Sequence, residues 1–69
     1  MEAVISLVLA TVPTVDSQTT YETVFEATPP ENRHFLPSAL KQLKREGKIQ
    51  KYIDVVDGQN VHVIKRIGE

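Results

Sequence analysis

The apolar positions of the chain change period along its length, and the changes divide it into elements. Between Glu2 and Val12, the residues Val4, Ile5, Leu7, Val8 and Leu9 fall nearly all round a helical wheel, and Pro13 ends the run. A central helix and a buried strand both read this way. A length of about ten residues favours the helix, and the β-branched content favours the strand. Residues 13–17 then form a connector. In Thr19-Thr20-Tyr21-Glu22 a hydroxyl stands three residues before a glutamate, so the two side chains can each satisfy a backbone N–H that a helix start leaves free. Tyr21, Val24 and Phe25 follow at i, i+3 and i+4, one face of a short helix bounded by Pro29 and Pro30.

Thr28-Pro29-Pro30-Glu31 repeats the capping pattern, with proline in the first helical turn, where its missing N–H costs nothing. Inside a helix Pro37 would remove a hydrogen bond and clash with the carbonyl of Arg33, so either a helix kinks there or a new one starts at Pro37. The second is the preferred reading: a short turn over 29–34 and a separate helix from Pro37 to Glu46. In that helix Leu36, Leu40 and Leu43 recur at i, i+4 and i+7 beside Ala39, and Gly47 supplies a left-handed stop. Its opposite face reads Ser38, Lys41, Gln42, Lys44 and Arg45, continued by Lys48.

From Ile49 the period falls to two. Ile49–Val56 and Val61–Ile67 flank the turn-rich Asp57-Gly58-Gln59-Asn60 and read as a hairpin. Ile49, Ile53, Val55, Val61, Val63 and Ile67 are all at odd positions, so the odd face is expected to point inward. One register pairs Val55 with Val61 and Ile53 with Val63. Another, slipped by two residues, pairs Ile53 with Val61 and puts Gly58 at the αL position of a three-residue loop. Both turn Tyr52 and Ile64 outward. The expected fold is α+β: one small domain over residues 1–69, three helices followed by a two-stranded antiparallel hairpin.

Charge sharpens this picture. Residues 1–30 carry four acids and no Lys or Arg, while residues 31–69 carry all eight bases against five acids. The halves hold −4 and +3, which the net charge of −1 conceals. The bases cluster where the third helix meets the hairpin. Such a stripe can neutralise phosphates. Cations late in a helix are also favoured by its dipole, and a solvated face has the same composition.

Other chemistry is sparse. With no Cys there is no disulfide or thiolate metal site, and His34 and His62 alone make no recognisable metal centre. No phosphate-cradling glycine loop and no organised Ser-His-acid set is present, so neither enzyme activity nor a cofactor is expected. Asp54 and His62 read as a surface pair across the strands. The apolar Ala3–Ala10 run is too short to span a bilayer, and Glu2 stands where a signal peptide has its basic residues. Together with the absence of Cys, this leads us to expect an intracellular protein, cytoplasmic or nuclear, with no membrane association.

The order of elements, and the stretch from Leu36 to Ile49 (LPSALKQLKREGKI) in particular, resembles the winged-helix (winged helix-turn-helix) superfamily, where a leucine-spaced helix ends in a basic, glycine-containing turn and enters a strand. The resemblance covers roughly residues 19–67. It implies duplex nucleic acid as partner, with Ser38, Lys41, Gln42 and Arg45 at the major groove and Lys44 and Lys48 near phosphates. Two departures stand out: the Pro-rich link before the third helix, and an acidic Asp57 at the wing tip where DNA-facing wings normally carry Lys or Arg. A second similarity is to the costars family, small winged-helix-like proteins linked to actin regulation. It lies in Tyr21-Glu-Thr-Val-Phe25, in Leu40-Lys-Gln-Leu-Lys-Arg45 and in Tyr52, without that family's longer N-terminal helix. It implies an alternative in which the same fold binds a protein, a cytoskeletal one by this resemblance. For that alternative the residues alone offer Tyr52, Ile64 and Val56 as a patch for a partner or a homodimer.

Overall fold

The first apolar run is a helix. In the computed structural model, which describes residues 1–69, the elements are α1 (Glu2–Thr11), β1 (Gln18–Thr20), α2 (Tyr21–Ala27), a 3₁₀ turn (Pro30–Phe35), α3 (Leu36–Arg45), β2 (Ile49–Val56) and β3 (Gln59–Arg66). Val4, Val8 and Val12 recur every four residues and bury one stripe of α1. They meet Val24 of α2, the Leu36, Ala39, Leu40 and Leu43 stripe of α3, and Ile49 and Ile64 of the sheet. No helix is long and apolar enough to cross a membrane.

Local chemistry fixes the helix ends. Thr19 is taken into β1, so the cap of α2 falls one residue later than the sequence pattern suggests: the Thr23 N–H donates to Thr20 Oγ1 at 3.2 Å. The second expected capping box does not form. Thr28 is buried, and its hydroxyl donates back to the Val24 carbonyl at 2.7 Å, closing α2 instead of opening the next turn. Arg33 completes that closure. Its Nε–H donates to the carbonyls of Phe25 and Thr28, each at 3.0 Å, and its guanidinium lies 4.4 Å from the centre of the Phe25 ring. A cation at a helix C-terminus is favoured by the dipole. The prolines bound a 3₁₀ turn, as expected, but it runs without a break into α3, with Pro37 in the first turn of that helix. α3 ends in a Schellman motif. The Lys48 N–H donates to Leu43 O at 3.0 Å and Gly47 N–H to Lys44 O at 3.1 Å, with Gly47 at φ 73°.

The sheet has three strands in the order β1-β3-β2, all antiparallel. β1 was not foreseen, because three polar residues show no apolar period. Its pairing with β3 continues outward, with Arg66 N–H donating to Ser17 O and Asp16 N–H to Arg66 O, both at 2.8 Å. The Arg66 side chain reaches under the sheet and donates from Nη1 to Val12 O at 3.1 Å, joining the end of α1 to β3.

The hairpin register corrects the expectation of a common odd face. Val56 pairs with Gln59, Ile53 with His62 and Lys51 with Ile64. The turn is the two-residue Asp57-Gly58, with φ of 53° and 76°, the type I′ geometry that matches strand twist. A two-residue turn sets odd positions of β2 against even positions of β3. Ile49 and Ile64 therefore share the core face, and Val63 lies on the other side. There Tyr52 lies opposite Val63, and its hydroxyl donates to Gln18 Oε1 of β1 at 3.0 Å, which covers Val63. Asp54 faces Val61 rather than His62, and its carboxylate accepts from the Val55 N–H. The hairpin also outruns the helices, so Ile53 and Val55 remain 60% and 64% exposed although they lie on the core side.

Truncating Leu43 to Ala is expected to cost about 2–5 kcal/mol. That is a large part of the roughly 3–10 kcal/mol available to a chain of this length. Urea unfolding checks this, with Arg45→Ala, on the exposed side, expected within about 0.5 kcal/mol of the parent. The register is checked separately: cross-strand NOEs should join Lys51 to Ile64 and Ile53 to His62.

Candidate nucleic-acid interface

The leucine stripe of α3 orients everything on its other sides. With Leu36, Ala39, Leu40 and Leu43 buried, helical geometry turns Ser38 and Arg45 straight outward. Lys41 and Lys44 fall on the flank next to β2, and Gln42 falls on the opposite flank, where it is half-buried. Lys48 lies past the helix end. Its backbone is held by the Leu43 carbonyl and by the N–H groups of Ile67 and Gly68, which both donate to its carbonyl.

The register brings Lys51 to the same place. Because Lys51 opposes Ile64, it projects from β2 on the core side, towards the helices. Its ammonium lies 5.2 Å from the centre of the Tyr21 ring, at the start of α2. Such an exposed cation–π contact contributes about 0.5–1 kcal/mol. Between α2, α3 and β2 lies an open groove of about 280 Å³, floored by Tyr21, Pro37 and Leu40 and edged by Lys41, Lys44 and Lys51. No carboxylate lines it. The one ion pair of the molecule, Lys65 with Asp16 at 3.8 Å, lies elsewhere. A second depression of about 210 Å³ shares Tyr21 and is lined by Glu22, Gln59, Asn60, Val61 and His62.

Of the six residues expected at nucleic acid, Lys41 and Lys44 converge on the groove, while Ser38 and Arg45 form the crest beside it. Gln42 and Lys48 stand apart from it. Tyr21 and Lys51 were missed. Lys51 stands two residues after Ile49 in β2, on the odd face already expected to point inward, whereas no local pattern brought Tyr21 to it. The expected protein-binding patch is not assembled. Ile64 is fully buried in the core, Tyr52 is engaged with Gln18 over Val63, and Val56 alone is open, at 49% exposure near the wing tip. The correction has the same cause as the change of face: an odd-to-even register turns Ile64 inward. His34 stacks on Phe35 with ring centres 4.0 Å apart, and His62 lies on the hairpin opposite Ile53.

Comparison of the chain with protein-family models, with curated proteins and with solved structures gave no significant match.

Replacing Lys41, Lys44 and Lys51 together by Ala should leave the fold intact. Each is exposed and none is paired with an acid, so the thermal midpoint should change by no more than about 1 kcal/mol requires, the lost contact to Tyr21 being offset by relief of like-charge repulsion. Thermal unfolding followed by circular dichroism checks this.

Proposed function

We propose that the chain is a non-catalytic winged-helix module that contacts nucleic acid through the basic side of α3 and its flanks. The order α-β-α-α-β-β with sheet order β1-β3-β2 is compatible with that fold. The observation that carries the reading is the convergence of Lys41 and Lys44 from α3 with Lys51 from β2, with no acid among them. Three unpaired ammonium groups on one exposed surface attract a polyanion, and releasing its counterions supplies affinity without sequence preference. Arg45 and Ser38 on the crest of α3 are the residues placed to reach base edges, Arg45 by paired hydrogen bonds to guanine. Asp54 and Asp57 keep the wing tip away from phosphate, so the contact is centred on α3. A cytoplasmic or nuclear location suits this role.

Binding of a mixed-sequence duplex, followed by fluorescence anisotropy over a range of salt, tests the reading. Lys41→Ala with Arg45→Ala should weaken binding, lower the salt slope by about 1 for each phosphate contact removed, and reduce any preference for guanine. Unchanged affinity and slope in this folded variant would contradict it.

A second reading is favoured by a different surface. Ile53, Val55 and Val56 leave a row of apolar side chains exposed near the wing tip, on the outer strand of the sheet. An apolar sheet edge of this kind invites a protein partner or a second copy of the chain. Sedimentation equilibrium separates the cases for self-association: a dimer lost on Ile53→Ser with Val55→Ser would favour it, and a monomer at high concentration would remove it.

A further inference from the structure

The geometry points to the Tyr21 groove as the seat of a single unpaired nucleotide, its base against the Tyr21 ring and its phosphates on Lys41, Lys44 and Lys51. This rests on the nucleic-acid reading above and narrows it, because a duplex cannot use the groove floor. Paired bases present only their edges, and their faces are occupied by neighbouring pairs. A base has a free face only when it is unpaired, and proteins that take such bases stack them on aromatic side chains beside a cationic track.

Three features of the groove match that ligand together. Its floor is apolar and carries one ring, Tyr21, half-buried at the first turn of α2. Its rim is wholly cationic, with no carboxylate to neutralise the three lysines. A second depression shares Tyr21 and offers Gln59, Asn60 and His62, whose amides and imidazole can donate to and accept from the polar groups of an adjoining nucleotide. An acidic peptide would satisfy the lysines but would leave both the ring and the amide-bearing rim without a use. The ring already receives a cation from Lys51, 5.2 Å from its centre. A base entering on that side displaces the ammonium, which is then free to pair with the phosphate of the same nucleotide.

The test compares one mixed-sequence oligonucleotide of about ten bases as a single strand and as its duplex, with a poly-glutamate peptide as the acidic control. The single strand should move the Tyr21 ring and Leu40 methyl resonances upfield, the ring-current mark of a stacked base. Inorganic phosphate should not do so. Tyr21→Leu should weaken single-strand binding about tenfold or more and leave duplex binding unchanged, and Tyr21→Phe should restore it. The lysine-to-alanine variant, by contrast, should weaken both. Should the single strand bind through Tyr21 and the duplex not bind at all, the groove assignment stands and the duplex contact fails. If Tyr21→Leu weakens both ligands equally or neither, or poly-glutamate moves the Tyr21 and Leu40 resonances at lower concentration than the oligonucleotide, the groove assignment is overturned. Should neither nucleic acid bind, both readings fall.

Discussion

A two-residue turn decides which side chains this small domain buries and which it presents. Asp57 and Gly58 both adopt positive φ, and the turn they form locks Val56 opposite Gln59. From that pair the whole ladder follows, because side chains alternate strictly along a strand and a slip of one residue would exchange the faces. Ile64 is sent into the core beside Ile49, on the face of β2 that also carries Lys51. With the turn one residue longer or shorter and β2 held by the buried Ile49, Val63 would take the core side in place of Ile64, and Ile64 would lie in solvent.

The helices supply the other half of the arrangement. Only twelve of the 69 residues are buried, so the core has little to spare. Its integrity depends on stripes that meet at one place: the valines of α1, Val24 of α2 and the leucines of α3. The side-chain hydrogen bonds serve the same end. Arg66 joins β3 to the end of α1, Arg33 closes α2, and the Schellman turn after α3 delivers Lys48 and Ile49 directly into β2. Two of the chain's eight bases are thus spent on holding carbonyls, while Lys41, Lys44 and Lys51 hold none. Division of labour among the bases, rather than their number, distinguishes the candidate site from an ordinary solvated surface.

Much of this was legible in the residues. The leucine spacing and the glycine stop gave α3 to within one residue at each end, and the prolines placed the preceding turn, because these signals are local and act on the backbone itself. The hairpin strands were legible from their period. What escaped has a common physical cause. β1 is three polar residues whose strand character comes from pairing with β3, not from their own composition. Thr19 and Thr28 carried capping patterns, but one was taken by the sheet and the other by burial beneath α2. Odd-numbered apolar residues suggested a single face, yet Ile53 and Val55 lie beyond the helices and Val63 is covered from the far side by Tyr52. Of the site, Lys41 and Lys44 followed from helix spacing alone. The side of Lys51 followed from its period with Ile49, but its meeting with Tyr21 required the packing of three elements, which no local pattern states.

The central claim is that one face, formed where α3 meets β2 and the start of α2, carries the function. An amide NMR titration of the labelled domain with nucleic acid, at low and then physiological salt, tests it most directly. The expected result is a set of shifts confined to Tyr21, the outward side of α3 and Lys51, diminishing as salt rises. An absence of shifts at low salt, or shifts confined to the outer face around Tyr52 and Val63, would contradict it.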